Sequence, residues 1–216
     1  MASEAELRSI RARLVEAALP HVPFEGWSPA LLDLAANEAE IPVAQAKAAL
    51  PGGVADLLRA WSSGCDAQML AQLSAEDMDG LKIREKIALA VRTRLMTMRN
   101  DRLAARKALS FFAYPLNHAA GAECLARTMD AIWRAIGDRS TDFNFYTKRA
   151  TLAGVYSLTL NRWLNDDSEG FSETFAYLDR RIGDVMRFEK AKQGAGKFLM
   201  DLPDPFSLLA RIRYPL

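Results

Sequence analysis

An all-α fold is what this sequence predicts, and three observations carry the reading. Prolines are absent between Pro51 and Pro115 and again between Pro115 and Pro203, which leaves two long uninterrupted blocks. Within them apolar residues recur every three or four positions, the spacing that lines one face of a helix. No period-two alternation runs far enough to build a strand. The 216 residues, half of them apolar and a quarter charged, suffice for one domain with a substantial core, or for one with a small appended unit.

A first helix runs from about Glu4 to Leu19, with Leu7, Ile10 and Leu14 on one face, and stops at Pro20. The second starts at Ser28-Pro29, where serine supplies a capping oxygen and proline suits the first helical position. A short third helix spans Pro42 to Leu50 and ends at Pro51-Gly52-Gly53. The long helix after it carries the stripe Val54, Leu57, Leu58, Trp61, Cys65, Met69 and Leu73, and Gly80 breaks it. Ile83, Ile87, Val91, Leu95 and Met98 mark the next helix. Later helices centre on 105–114, 119–136, 143–164 and 171–190, separated by Pro115, Gly137-Asp138 and Asn165–Ser168. Gln193-Gly194-Ala195-Gly196 reads as a linker to a short tail.

Charge is segregated along the chain. Residues 20–79 hold nine acidic side chains against Lys47 and Arg59, a net −7, whereas residues 80–111 hold nine basic side chains against Glu85 and Asp101, a net +7. The opposite signs allow the two stretches to pair and orient the domain. Asp33-Leu34-Ala35-Ala36, Ile41-Pro42 and Leu50-Pro51 resemble the helix-turn-helix layout of TetR-family regulators. Phosphate contacts supply most nucleic-acid affinity, however, and the third helix offers only Gln45 and Lys47 among alanines and Val43, so nucleic acid is not expected as a partner.

Other function classes find little support. The two histidines, His21 and His118, have no second ligand at metal-site spacing, and no phosphate loop or nucleophile elbow occurs. The chain is therefore read as a non-enzyme without metal or cofactor. Cys65 and Cys124 sit in helical apolar patterns and read as small core residues of a reducing compartment. No apolar run reaches the ~20 residues of a membrane span, and the N-terminal stretch has neither a secretory h-region nor the acid-poor character of a transit peptide, which suggests a mature cytosolic start.

Bulky apolar residues in the second half, Phe112, Leu116, Met129, Ile132, Trp133, Leu152, Tyr156 and Leu160 among them, suit either a filled core or an apolar chamber, and periodicity does not separate the two. At Thr141–Arg149 a capping residue, Asp142, precedes Phe143, Phe145 and Tyr146 beside Lys148 and Arg149, an aromatic and basic cluster of the kind found at binding surfaces or, alternatively, at a buried helix entry. In the tail, Phe206, Leu208, Leu209 and Ile212 share a face flanked by Arg211 and Arg213. That pattern suits an amphipathic helix meeting a membrane surface, or a tail docked on its own domain.

Leu19–Trp27, Leu50–Gly53, Leu81–Ile87, Met129–Arg134 and above all the Thr141–Arg149 string resemble the ubiquinone-biosynthesis accessory proteins of the Coq-nine type over about residues 10–190. The resemblance implies a TetR-like helical bundle that has lost DNA binding, forms a homodimer and holds an isoprenoid lipid or quinone precursor. The implied lining is Leu95, Phe112, Leu116, Met129, Ile132, Trp133, Leu152, Tyr156 and Leu160. It further implies a di-iron hydroxylase as partner, met by Asp142, Phe143, Phe145, Tyr146, Lys148 and Arg149, and a peripheral membrane contact through Phe206, Leu208, Leu209 and Ile212. Position 145 is Phe where mitochondrial members carry Trp, and the tail is shorter and richer in proline than theirs. With no transit peptide, a bacterial protein of the cytoplasm, peripheral to the inner membrane, is expected. The chain divides into residues 1–79 (a degenerate helix-turn-helix and the start of the connecting helix), 80–192 (lipid binding and dimerisation) and 193–216 (linker and tail). A TetR-type regulator with a hydrophobic effector is the alternative.

Overall fold

The structure, a computed structural model, describes the backbone of residues 3–138 and 143–200 and the side chains of residues 3–138 and 146–188. Ten α-helices and three short 3-10 turns make up the described residues, with no strand among them. The order is α1 (Glu4–Ala18), α2 (Val22–Glu25), α3 (Pro29–Glu38), α4 (Val43–Ala49), α5 (Val54–Ser74), α6 (Ile83–Met96), α7 (Arg102–Phe112), α8 (His118–Ala135), α9 (Phe143–Trp163) and α10 (Ser172–Met200).

Local chemistry sets the boundaries. Ser3 caps α1, its hydroxyl accepting from the Glu6 amide at 3.2 Å while the Glu6 carboxylate accepts from the Ser3 amide at 3.4 Å, a reciprocal capping box. Ser28 accepts from the Leu31 amide at 3.2 Å, and Pro29 opens α3. Gly53, with φ of 62°, takes the left-handed turn into α5 that a side chain would disfavour. α10 runs on through Gln193–Gly196 to Met200, where the sequence suggested a linker. Ala191, Lys192, Gln193, Ala195 and Lys197 are strong helix formers, and they outweigh the ~1 kcal/mol that each glycine costs. The tail residues Phe206, Leu208, Leu209 and Ile212 lie outside the described residues.

α1, α3 and α4 pack together against the start of α5; α5 packs along α6 and α8, and α9 pairs with α10. One continuous core runs from Ile10, Leu14 and Leu31 through Leu57, Leu58 and Leu95 to Met129, Trp163 and Leu178. Trp27 ties the N-terminal unit to this body, donating its Nε1–H to the Ala104 carbonyl at 3.0 Å and lying 5.4 Å from the Trp61 ring.

The charge segregation resolves differently from a simple pairing of the two blocks. Arg94 is bound to Asp66, but the other basic anchors of α6 and α7 reach the α9–α10 region instead. Arg102 donates to the carbonyls of Trp163 (2.9 Å) and Asp166 (2.8 Å) and lies over the Trp163 and Phe171 rings. Arg106 holds Leu164 and Asn165, and Arg92 meets Asp179 at 2.6 Å. Three of the nine basic side chains of residues 80–111 thus fasten the last two helices.

Candidate functional site

α5, α6, α7, α8 and α9 line an apolar cavity of about 330 Å³ that opens to the surface. Its walls include Leu58, Trp61, Met98, Phe112, Leu125 and Leu160. The rim is exposed at Leu109, His118, Ala122 and Ser157, and the floor is buried at Arg94, Thr128 and Tyr156. Gly121 makes room for the wall: a Cβ there would lie 2.9 Å from Cγ of Phe112, so only glycine lets Phe112 lie this close to α8.

The floor is polar within an apolar shell. Arg94, 3% exposed, donates from Nε to Asp66 Oδ1 at 2.6 Å. Its other donors reach the Ser62 carbonyl and hydroxyl at 3.4 Å and the Thr97 hydroxyl at 3.5 Å. The Thr128 hydroxyl lies 2.9 Å from Asp66 Oδ1 and 3.1 Å from the Cys124 carbonyl. Burial opposes the Arg94 charge, but the contact with Asp66 outweighs it and holds the guanidinium protonated. Burial pushes the Tyr156 phenol above its ordinary value, against the pull of the Arg94 cation. The floor therefore carries a neutralised ion pair beside a neutral phenol.

The structure sorts the nine residues of the expected lining. Phe112, Tyr156 and Leu160 line the cavity. Leu95, Met129, Ile132 and Leu152 are buried in the core instead, and Trp133 lies beneath Lys148, whose Nζ is 5.4 Å from the ring centre. Leu116 is 97% exposed in the turn between α7 and α8, close to the rim residue His118. Sequence reasoning passed over Ser62, Arg94 and Thr128. Their signal was present: each is a polar residue on the buried side of an otherwise apolar helical stripe.

The aromatic and basic cluster separates in the same way. Arg149 bonds to Asp130 Oδ1 at 2.8–2.9 Å and lies 3.4 Å from Asp138, while Lys148 Nζ meets Asp138 at 2.8 Å. With side chains only 12% exposed for Arg149 and 8% for Asp138, this network fastens the end of α8 to the start of α9. Tyr146 is 70% exposed. The side chains of Asp142, Phe143 and Phe145 lie outside the described residues. Among the described residues no group of three or more His, Cys, Asp and Glu could hold a metal ion, and no helix is long and apolar enough to cross a membrane.

Comparison with known proteins places the chain in context. A family model described as COQ9 matches residues 118–189. The chain is 32% identical over 192 residues to the ubiquinone biosynthesis protein COQ9, mitochondrial, of Rattus norvegicus, covering 85% of this chain and 61% of that one. It is 29% identical over 192 residues to the Homo sapiens protein, covering 85% and 60%, and 29% identical to that of Drosophila melanogaster, covering 87% and 59%. The chain thus spans about three fifths of the length of these relatives. The crystal structure of the TetR transcriptional regulator from Nitrosomonas europaea ATCC 19718 superposes with a TM-score of 0.63 at 18% identity, over 81% of this chain and 97% of that one. That likeness establishes a TetR-like fold.

Proposed function

The chain is a homologue of the COQ9 proteins of ubiquinone biosynthesis, and from that premise we propose that it is a non-catalytic lipid-binding accessory protein of the pathway. In this reading it presents a polyprenylated quinone intermediate to a di-iron hydroxylase. The observation that carries the proposal is the cavity between α5 and α9, whose volume of about 330 Å³ falls at the small end of the range of ligand pockets, roughly 300–1,000 Å³. Apolar walls favour an isoprenoid, and the polar floor gives a ring something to recognise.

The hydroxylase would dock on a patch centred on Tyr146, with Asp142, Phe143 and Phe145 joining it by motif. An exposed tyrosine offers contact area at little entropic cost, which suits it to anchor a partner. Lys148 and Arg149 contribute by fixing the helix that carries the patch. Leu158, Met186 and Phe188, exposed on the last two helices, supply apolar surface for a homodimer contact. Phe206, Leu208, Leu209 and Ile212 would make the peripheral membrane contact.

The regulator reading meets a specific obstacle. The exposed side chains of α4 are Val43, Ala44, Gln45, Lys47 and Ala48, with a single cation among them. Few phosphate contacts mean little affinity at physiological salt, so a gel shift that survives ~150 mM salt would revive that reading. The proposal itself is tested by reconstitution: the chain added to vesicles carrying the quinone intermediate and the hydroxylase should raise the hydroxylation rate. An unchanged rate across all ratios of chain to enzyme would remove the presenting role.

A further inference from the structure

We propose that the floor of the cavity is the seat of a neutral ring oxygen: a carbonyl of the bound quinone accepts hydrogen bonds from the Tyr156 hydroxyl and the distal nitrogens of Arg94, and the isoprenoid chain leaves toward the α7–α8 rim. The inference rests on the lipid-binding reading above and gives the ligand an orientation.

Two unspent donors carry it. Tyr156 is 5% exposed and lines the cavity, and its hydroxyl makes no hydrogen bond among the described residues. A phenol on the wall of an apolar chamber ordinarily finds a partner, and this one, with none from the protein, is left to donate to whatever fills the cavity. Arg94 lines the same floor with five N–H donors and one well-formed bond, the 2.6 Å contact with Asp66. Its contacts at 3.4–3.5 Å to Ser62 and Thr97 exceed the roughly 2.7–3.2 Å of a good N–H···O bond. The site thus lacks an acceptor, and an oxygen placed there would satisfy a neutral donor and a charged one together.

Charge decides what kind of oxygen. Asp66 already neutralises Arg94, and Thr128 further satisfies the carboxylate, so an added phosphate or carboxylate would meet no spare positive charge in an apolar shell. A neutral carbonyl incurs no such penalty. Volume decides the rest: about 330 Å³ admits a ring and the first part of a chain, so a long tail must continue past the rim. Leu109 and His118 stand at that rim, and Leu116, two residues before His118, is almost wholly exposed there. An apolar side chain so placed can accompany the tail outward.

The test uses the full chain, a ubiquinone with a short isoprenoid chain, and an alkylbenzene of matching chain that carries no oxygen. Quenching of tryptophan fluorescence reports occupancy, because Trp61 lines the cavity. Tyr156→Phe, checked for folding by thermal melting, should weaken quinone binding about tenfold while the alkylbenzene affinity stays unchanged. Difference infrared spectra of the unaltered protein should show one quinone carbonyl stretch moved to lower frequency. An unshifted carbonyl, or equal quinone affinity in the folded variant, overturns the inference and leaves the lipid-binding reading standing. If neither ligand binds the unaltered protein, both fall.

Discussion

Replacing Asp66 with alanine should cost the fold about 3–5 kcal/mol, because it strands the Arg94 guanidinium inside the helical body. The Arg94 side chain is 4% exposed, and its 2.6 Å bond to Asp66 is its one short contact. The Ser62 and Thr97 oxygens at 3.4–3.5 Å are too distant to take over. Thr128 loses less, since the Cys124 carbonyl at 3.1 Å remains to accept its hydroxyl. At about 2–4 °C per kcal/mol for a chain of this size, the melting temperature should fall by roughly 6–20 °C. Circular dichroism melting and denaturant titration measure both quantities. Asp66→Leu combined with Arg94→Met removes both charges and should recover most of the loss. A single variant that loses under about 1 kcal/mol, or a double variant no more stable than the single, would refute it.

Other consequences follow from the network at the α8–α9 junction and from the α9–α10 turn. Arg149→Ala removes the cation that bridges Asp130 and Asp138, which keep Arg134 and Lys148, and should cost about 1–3 kcal/mol, with faster amide exchange at the end of α8; unchanged protection there would mean the bridge does not hold the junction. Tyr146→Ala, in protein confirmed folded, should weaken hydroxylase binding by ~2 kcal/mol in calorimetry, and equal affinity would remove Tyr146 from the patch. Burial alone would raise the Asp166 pKa, but hydrogen bonds from Ser168 and Thr174 outweigh it and hold the carboxyl far below the usual carboxylate range. A depressed folded pKa stabilises fully above the unfolded value of about 3.9 and is lost as pH falls through the folded one. Asp166→Asn should therefore lower stability by about 1–3 kcal/mol at neutral pH and flatten the acid loss below about pH 4. Denaturant midpoints that run parallel for both proteins down to about pH 2.5 would contradict this.

Much of the fold was legible because its punctuation is chemical. Ser28-Pro29, Pro51-Gly52-Gly53 and Pro115 mark helix ends that depend on local sterics and capping, and local rules read them correctly, whereas α5 already ends at Ser74, six residues before the expected break at Gly80. The short α2 was not expected, and the extension of α10 was missed by weighting two glycines above the helix formers around them. The site was less legible, and for a geometric reason. A side chain facing a cavity and one facing the core share the same helical period, so Phe112 and Tyr156 could not be told from Leu95 and Met129. The contacts of Lys148 and Arg149 were hidden for a different reason. Arg149 and Asp130 lie 19 residues apart on two helices, and nothing local reveals that they meet. Arg94 and Asp66, 28 residues apart, left a clearer trace, since a charge on the buried side of an apolar stripe demands a partner.

The central claim is that the cavity holds a polyprenylated quinone, and native mass spectrometry of the purified full chain, followed by lipid extraction, tests it most directly. The account predicts recovery of a polyprenyl quinone or its precursor with the protein, and retention of the same lipid when it is added to stripped protein. A chain that releases no lipid and retains none on addition contradicts it.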